Sequence, residues 1–247
     1  MKILVIANQK GGVGKTTTAA ALGTLLSQQG RGVHLIDMDP QASLTSTFGK
    51  DDPGGLLYEA LASRGPLPIV EIADHLTLTP SSIDLASGEM RFVAQPGREY
   101  LLRTCLHKTP LPEGTTVIVD SPPSLGVLST NTLAAATDIV IVLHPGGYEM
   151  RALARFIEVM EELKELGVNP TLTVAGVILT NCQHRRRIND QVDEEVSRIY
   201  PVLGRIRAEA DLMYATTDGN ILNLKRSNAM DDYRAVIEKL KEVIRGE

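Results

Sequence analysis

Tryptophan is absent from the 247-residue chain, phenylalanine occurs three times and cysteine twice. The scarcity of aromatic side chains argues against a binding face on which the bases of a single-stranded nucleic acid stack one after another. Cys105 and Cys182 match none of the spacings of metal or redox motifs, so we expect buried thiols in a reducing compartment. No apolar run approaches the roughly 18 residues of a membrane span.

An excess of positive charge is also missing. The formal net charge is −5, which argues against a surface uniformly suited to nucleic acid, so any contact with DNA must come from a local patch. Met1 and Lys2 lead directly into an apolar run, and we expect neither a signal peptide nor an N-terminal DNA-reading domain. Length and a hydrophobic content of 43% predict a single cytoplasmic domain over residues 1–247.

The strongest signal is the glycine-rich stretch of residues 10–17, KGGVGKTT. An apolar run at residues 3–7 predicts a buried strand before it, and residues 17–28 predict a helix after it. This context is typical of a loop whose backbone N–H groups turn inward around a phosphate, helped by the partial positive charge of the helix N-terminus. The nucleotide-binding residues predicted here are Lys10, Gly11, Gly12, Val13, Gly14, Lys15, Thr16 and Thr17.

Two lysines frame this loop. Lys15 is expected to reach the β- and γ-phosphates of ATP and to act in catalysis, while the hydroxyl of Thr16 coordinates Mg²⁺. The ordinary phosphate-loop pattern has glycine at position 9, where this chain has Gln9. The ordinary pattern also has no lysine at position 10, where this chain has Lys10. This departure indicates a distinct subclass of the motif.

Aspartates follow two further apolar runs. Residues 33–36 predict a strand that ends in Asp37-Met38-Asp39, and residues 116–119 predict one that ends in Asp120. Ligands bind beyond the carboxyl ends of the strands in open parallel sheets. We predict that Asp39 orients the attacking water and lies at the metal, and that Asp120 holds Mg²⁺ opposite Thr16. A solvated strand-end turn at Asp37 and Asp39 remains the alternative.

The remaining pattern completes the fold prediction. Further strands at residues 138–143 and 173–179 alternate with helices, which predicts an α/β fold with a mostly parallel, twisted sheet and helices on both faces. Asn181 follows the second of these strands and is either a ligand of the nucleotide base or a turn residue. Residues 51–115 carry no chemical signal and are assigned to scaffold and surface.

Basic residues cluster near the C-terminal part of the chain. Arg185, Arg186 and Arg187 precede a predicted helix at 188–200, where the helix dipole disfavours them. We predict contacts with DNA phosphates there and at Lys225 and Arg226, with a solvated charged loop as the open alternative. The final helix, residues 231–245, lacks the lysine excess and bulky aromatics of a membrane-surface helix, and we expect it to pack on the sheet.

With its glycine loop, the segment from Asp37 to Gln41 and the Asp120-Ser-Pro-Pro turn, the chain resembles the ParA-type partition ATPases of the deviant Walker A class, in particular the small ParA proteins. The resemblance implies a P-loop ATPase with a slow basal rate whose homodimer sandwiches ATP and Mg²⁺, with Lys10 acting on the partner's phosphates. It further implies that the ATP dimer binds double-stranded DNA without sequence preference, that a ParB-like adaptor stimulates hydrolysis, and that the protein is cytoplasmic and nucleoid-associated.

One stretch departs from the family. Residues 144–148 read HPGGY, where many relatives have proline, glutamine and an acidic residue before the tyrosine. The runner-up is a MinD-like, membrane-associated positioning ATPase. An iron–sulphur reductase needs paired cysteines at the ligand edge of the sheet, and a nucleotide-gated scaffold that does not hydrolyse ATP is a further alternative.

Overall fold

The computed structural model describes residues 1–52, 54–146, 149–182, 187–224 and 227–245, except for the side chains of residues 149, 187–191 and 245. Short β-branched and leucine-rich runs form its strands, as expected of segments covered on both faces. The strands are β1 (Lys2–Ala7), β2 (Val33–Asp37), β3 (Val70–Ala73), β4 (Leu76–Thr79), β5 (Thr116–Asp120), β6 (Asp138–Leu143), β7 (Thr173–Cys182) and β8 (Val202–Arg207).

Helices connect these strands. The longer ones have an apolar stripe towards the sheet, whereas the first helix is buried on most sides and has alanine, leucine and threonine side chains around its circumference. The helices are α1 (Lys15–Gln28), α2 (Ser43–Thr47), α3 (Leu56–Ser63), α4 (Asp84–Phe92), α5 (Leu101–Lys108), α6 (Val127–Ala135), α7 (Glu149–Glu165), α8 (Arg187–Ser197), α9 (Ala210–Thr217) and α10 (Asn228–Arg245).

The eight strands form one sheet in the order β3-β4-β2-β5-β1-β6-β7-β8. Every neighbouring pair is parallel except β3 and β4. The carboxyl ends of β1, β2, β5, β6 and β7 therefore meet at one rim of the sheet. We call it the phosphate rim because the glycine loop leaves β1 there.

Two apolar layers cover the faces of the sheet. On one face α3 to α8 bury side chains such as Leu57, Phe92 and Met160. On the other face α1, α2, α9 and α10 do the same with Leu22, Leu44 and Tyr233. The predicted α/β fold with helices on both faces of a mostly parallel sheet is confirmed.

Element boundaries reflect burial. The buried strand at Asp138–Leu143 matches its prediction, and α1 begins at Lys15, two residues before the expected start. The sequence analysis predicted no strand at β3 or β8, the two edge strands of the sheet, where exposed and buried residues alternate and no continuous apolar run occurs.

The C-terminal helix α10 packs on the sheet, as expected. Its apolar side chains, among them Tyr233, Val236 and Leu240, are buried against β8 and α1. The Tyr233 hydroxyl lies 2.9 Å from the hydroxyl of Thr18 in α1. Among the described helices, none combines the length and apolarity that crossing a membrane would require.

Candidate nucleotide site

The glycine loop connects Ala7 at the end of β1 to Lys15 at the start of α1. Gly14 caps α1 with a φ of 92°, and Gly12 has a φ of 71°. Residues with a side chain rarely adopt this left-handed region of φ, so the conformation of the loop requires glycine at both positions. The N-terminus of α1, with no acidic residue in its first turn, is left as a site for an anion.

Asn8 fixes the first half of the loop. Its buried side-chain amide donates to the carbonyl oxygen of Val142 in β6 at 2.6 Å, and its side-chain oxygen accepts the N–H of Lys10 at 3.0 Å. The Lys15 ammonium donates to the carbonyl oxygen of Lys10 at 3.2 Å. The backbone of Lys10 is therefore held from both sides.

Thr180 fixes the second half of the loop. Its hydroxyl oxygen lies 2.5 Å from the carbonyl oxygen of Val13 and 3.2 Å from that of Leu143. One buried hydroxyl thus ties the loop to β6 and β7. Neither Asn8 nor Thr180 is among the site residues predicted from the sequence. The available signal is a polar residue directly after a buried apolar run, at the ligand edge of the sheet.

Two aspartates are neighbours at the phosphate rim. The parallel register of β2 and β5 places Asp37 beside Asp120, and both residues are completely buried. Thr16 donates its hydroxyl proton to Oδ2 of Asp120 at 2.6 Å. The other carboxylate oxygen of Asp120 is buried and has no hydrogen-bond partner among the described residues.

Asp37 anchors the chain that follows β2. Its carboxylate accepts the backbone N–H of Thr45 at 2.8 Å, the Thr45 hydroxyl at 2.7 Å and the N–H of Asp39 at 3.1 Å. With three donors and no exposed surface, Asp37 holds helix α2 against the sheet and does not face the ligand space.

Asp39 is half-buried and lines the cavity in front of the loop. Its carboxylate accepts the N–H of Gln41 at 2.9 Å. Ser81, in the connection after β4, donates its hydroxyl to the Asp39 carbonyl at 2.8 Å, and its N–H bonds the Thr45 hydroxyl at 2.9 Å. Of the two candidate aspartates, the structure therefore places Asp39, not Asp37, beside the ligand space. Ser81 lies in a segment that the sequence analysis assigned to scaffold.

The charges at this rim are unbalanced. Burial, together with the neighbouring Asp37 carboxylate, raises the pKa of Asp120 well above its ordinary value. Burial raises the pKa of Asp37 to about 6. Burial also lowers the pKa of Lys15, although Asp120 and Asp39 oppose this. The two carboxylates that act on the desolvated Lys15, those of Asp120 and Asp39, form a site suited to a further cation.

The site fits Mg²⁺ on this basis. Mg²⁺ prefers oxygen ligands, commonly one or two carboxylates together with phosphate oxygens and water. Thr16 and Asp39 line the cavity, and Asp120 is hydrogen-bonded to Thr16 and keeps one oxygen unpaired among the described residues, so all three supply oxygen donors of the kind that Mg²⁺ binds. They are the three predicted metal ligands, and the structure brings them to one rim.

Two adjoining cavities share the walls Gly12, Gly14 and Thr17. The first, about 610 Å³, also contains Lys15, Thr16 and Asp39 and suits a polyphosphate. The second, about 390 Å³ and more apolar, includes Thr180, Asn181 and Met213 and suits a base and ribose. A larger concavity of about 740 Å³ lies at the opposite rim near His75, away from the glycine loop, so size alone does not identify the site.

The other predicted residues are distributed as follows. Asn181 is exposed, has a φ of 52° and lines the second cavity, consistent with either of its two predicted roles. Arg185, Arg186, Lys225 and Arg226 lie outside the described residues, as do Gly147 and Tyr148 of the atypical 144–148 stretch. Arg187 begins α8, but its side chain lies outside the description as well.

The cysteines do not form a pair at the ligand edge. Cys105 is buried within α5, and Cys182 ends β7. Burial raises the pKa of each thiol to about 11. The raised pKa values disfavour the thiolate form that binds metal, which gives no support to the iron–sulphur alternative.

Strand, glycine loop and helix, with an aspartate at the end of a neighbouring parallel strand, define the class as a P-loop nucleoside triphosphatase. A family model described as an AAA domain matches residues 1–174. The chromosome partitioning protein ParA of Myxococcus xanthus is 40% identical over 201 residues, covering 79% of this chain and 70% of the relative. The sporulation initiation inhibitor protein Soj of Bacillus subtilis is 35% identical, covering 81% and 80%.

Solved structures agree with this assignment. A complex of a Cyanothece McdA variant with ATP has a TM-score of 0.86 at 26% identity, covering 98% of this chain and 96% of that chain. Cobyrinic acid a,c-diamide synthase from Mycobacterium smegmatis, with bound ATP analog and magnesium, has a TM-score of 0.83 at 32% identity, covering 100% and 97%. The chain belongs to the ParA/Soj family of P-loop partition ATPases.

Proposed function

We propose that this protein is a ParA-like positioning ATPase whose ATP-bound dimer binds DNA and is switched off by hydrolysis. The observation that carries the proposal is the phosphate rim, where an anion-binding loop held by Asn8 and Thr180 lies beside Asp120, a buried aspartate with one oxygen that has no hydrogen-bond partner among the described residues. The family membership supports nucleotide binding and hydrolysis of ATP. Dimerisation, DNA binding and adaptor stimulation are the parts that require experiment.

Within one subunit the proposed roles follow from the geometry. Backbone N–H groups of the loop and Lys15 bind the phosphates, and Asp39 orients the attacking water from the cavity wall. Thr16, Asp120 and Asp39 would hold Mg²⁺, which offsets negative charge on the phosphate oxygens when bound. Asn8 and Thr180 keep the loop in place, so little reorganisation is needed when charge develops.

Lys10 is proposed to act on the partner's nucleotide. It is exposed at the start of the loop, and its backbone is fixed by Asn8 and Lys15. Its own subunit already contributes Lys15 to the phosphates. A second cation at a subunit boundary would stabilise the transition state as an arginine finger does, so that hydrolysis requires a dimer.

Replacing Lys10 tests this role. In Lys10→Ala we expect ATP turnover to fall at least about 1,000-fold, within the range known for arginine fingers, while the circular dichroism spectrum is unchanged. Lys50→Ala, which removes an exposed lysine that lines neither nucleotide cavity, is the matched control and should leave turnover unchanged.

A mixing experiment separates action across the dimer from action within a subunit. Lys10→Ala subunits keep their own Asp120, whereas Asp120→Asn subunits still provide Lys10. If Lys10 acts on the partner, mixing the two inactive variants restores part of the activity. Mixtures as inactive as either variant alone would show that Lys10 works only in its own subunit.

DNA binding is proposed to involve Arg185, Arg186, Arg187, Lys225 and Arg226. Each phosphate contact adds to the salt dependence of binding, with a slope near −0.9 per contact on duplex DNA. We expect the ATP-bound protein to bind unrelated duplexes alike, and the triple change of residues 185–187 to alanine to reduce the salt slope. An unchanged slope would remove these three arginines from the interface.

Association with the nucleoid follows from the proposed DNA binding, and a ParB-like adaptor would accelerate hydrolysis and couple it to a DNA or protein cargo. The MinD-like alternative receives no support from α10, whose apolar face is already occupied by β8 and α1. Stronger ATP-dependent binding to liposomes than to DNA would reverse this preference.

A further inference from the structure

Helix α4 has apolar side chains on the face that points away from the core. Leu85, Gly88 and Phe92 form its buried side. Ile83, Met90 and Val93 lie at helical spacing on the opposite side and are 66%, 79% and 49% exposed. Single exposed apolar residues are ordinary, but a helix with apolar residues on both faces indicates a surface that another molecule covers.

Leu125 extends this stripe. It is 40% exposed and precedes Gly126, the residue that caps α6. The Glu89 carboxylate occupies the space that a Cβ at Gly126 would need, so α4 and the 124–126 turn are in close contact. We use the name α4 surface for Ile83, Met90, Val93 and Leu125.

Two polar residues beside the stripe, Glu89 and Arg91, turn towards the protein's own chain. Glu89 is directed at Gly126, with one carboxylate oxygen buried. On the other side Arg91 donates to the hydroxyl of Tyr58 in α3 at 2.6 Å. These contacts direct Glu89 and Arg91 away from Met90, and the exposed residues between Ile83 and Met90 include the small Ala86 and Ser87.

The α4 surface adjoins the nucleotide site at two points. Ser81, before the helix, bonds the Asp39 carbonyl, and Glu89 contacts the turn that follows Asp120. Pro123 in that turn lines the phosphate cavity. Helix α4 is therefore attached to both loops that carry the acidic residues of the site, and a ligand that repositions either loop also repositions α4.

Lys10 indicates what covers this surface. Leu125 shares a small crevice with Gln9, the residue directly before Lys10. In the proposed dimer Lys10 enters the partner's phosphate cavity, so the partner must also cover the neighbouring rim. A two-fold dimer uses the same patch on both subunits, and an apolar patch can pair with itself.

The geometry points to the α4 surface as part of the interface with a second copy of this chain, formed only when nucleotide is bound. The inference rests on the proposed function, because it assumes the dimer that Lys10 completes. The α4 surface would contribute buried apolar area to the dimer interface away from the nucleotide, whereas Lys10 would contribute a positive charge at the nucleotide.

Met90→Asp tests the inference, because the side chain is mostly exposed and its loss should not unfold the monomer. With a non-hydrolysable ATP analogue and Mg²⁺, sedimentation velocity should give a dimer dissociation constant at least about tenfold higher than for the unaltered protein. Leu166→Asp is the matched control, since Leu166 is 69% exposed beyond the end of α7, and it should leave dimerisation unchanged. Binding of a fluorescent ATP analogue to monomers should be equal in all three proteins.

Each other outcome has a defined meaning. Dimerisation of Met90→Asp within twofold of the unaltered protein overturns the inference while the proposed dimer stands. If that variant also lost adaptor stimulation, the α4 surface would belong to the adaptor. An unaltered protein that stays monomeric with nucleotide would overturn both the proposed dimer and this interface, and equal weakening by Leu166→Asp would show a nonspecific charge effect.

Discussion

Two fully buried ionisable side chains lie three residues apart on β2, and their surroundings differ in kind. His34 is enclosed by hydroxyl groups, and Asp37 lies beside another carboxylate. Burial lowers the pKa of His34 to about 4 and raises the pKa of Asp37 to about 6. In both cases burial disfavours the charged form.

The His34 cluster is complete without any ligand. Its Nδ1 lies 2.8 Å from the Thr77 hydroxyl, and its Nε2 lies 2.9 Å from the Thr79 hydroxyl. Thr79 donates its proton to the carbonyl oxygen of Pro68, so it accepts from Nε2–H, and Thr77 donates to Nδ1. Every polar atom of the neutral imidazole is satisfied.

The phosphate rim is not complete in this way. Asp120 keeps one buried oxygen without a partner among the described residues, and Asp37 adds a second carboxylate beside it. Buried polar groups are normally hydrogen-bonded, and exceptions occur where a ligand or ion binds. This difference in hydrogen bonding distinguishes the His34 cluster, which is structural, from the candidate binding site at the end of the same strand.

Two predictions test this comparison, and the substitution Asp120→Asn should produce the larger effect. We expect ATP turnover to fall by at least about 100-fold, because the variant loses a charged Mg²⁺ ligand. The free protein should gain about 1 kcal/mol in its free energy of unfolding, because a buried carboxylate beside Asp37 is removed. Turnover assays and urea unfolding without nucleotide measure the two effects.

Asp138→Asn is the control. Asp138 is paired with the Lys2 ammonium at 2.9 Å, at the rim opposite the phosphate loop. This variant should lose stability and keep its turnover. A destabilised Asp120→Asn protein would mean that the Asp120 carboxylate is already compensated before a cation binds.

The pH dependence of stability should distinguish His34 from Asp37 with a smaller effect. The folded pKa of His34 is below its unfolded value of 6.5, so its contribution raises stability as pH increases from about 4 to 6.5. The folded pKa of Asp37 is above its unfolded value of 3.8, so its contribution lowers stability as pH increases from about 4 to 6. Each contribution changes the free energy of unfolding by about 3 kcal/mol across its pH range.

Two variants isolate these opposing contributions in urea unfolding at pH 4, 5, 6 and 7. Relative to His34→Gln, the unaltered protein should become more stable with rising pH. Relative to Asp37→Asn, it should become less stable over the same range. Differences between variants cancel the titrating groups that do not interact with the replaced side chain. A difference that stays constant with pH would therefore show that the pKa is not shifted for His34 in the first variant, or for the interacting pair Asp37 and Asp120 in the second.

Local sequence was informative wherever chemistry depends on adjacent residues. Glycines at positions that adopt a left-handed conformation, Lys15 and Thr16 at a helix start, and aspartates after apolar runs indicated the phosphate rim and the parallel sheet. The edge strands β3 and β8 were not predictable, because their burial depends on neighbours that are distant in the chain. The basic residues assigned to DNA remain a prediction.

Contacts between distant segments could not be predicted in the same way. The sequence predicted Asp39 as the functional aspartate, but the anchoring role of Asp37 depends on Thr45 and on the register with β5. The roles of Asn8, Thr180 and Ser81 depend on hydrogen bonds to other loops. Helix α4 lies in a stretch without a chemical motif, yet it contacts the loops that carry both Asp39 and Asp120.

By itself the sequence determined the class of site, because a phosphate loop is a local backbone structure encoded by adjacent residues. Only the tertiary structure decided that Asp37 is an anchor, that one oxygen of Asp120 has no partner among the described residues and which apolar side chains remain uncovered. Burial, the distance between charges and the completeness of hydrogen bonding are properties of the assembled sheet. They set the charge imbalance at the phosphate rim, on which the proposed function depends.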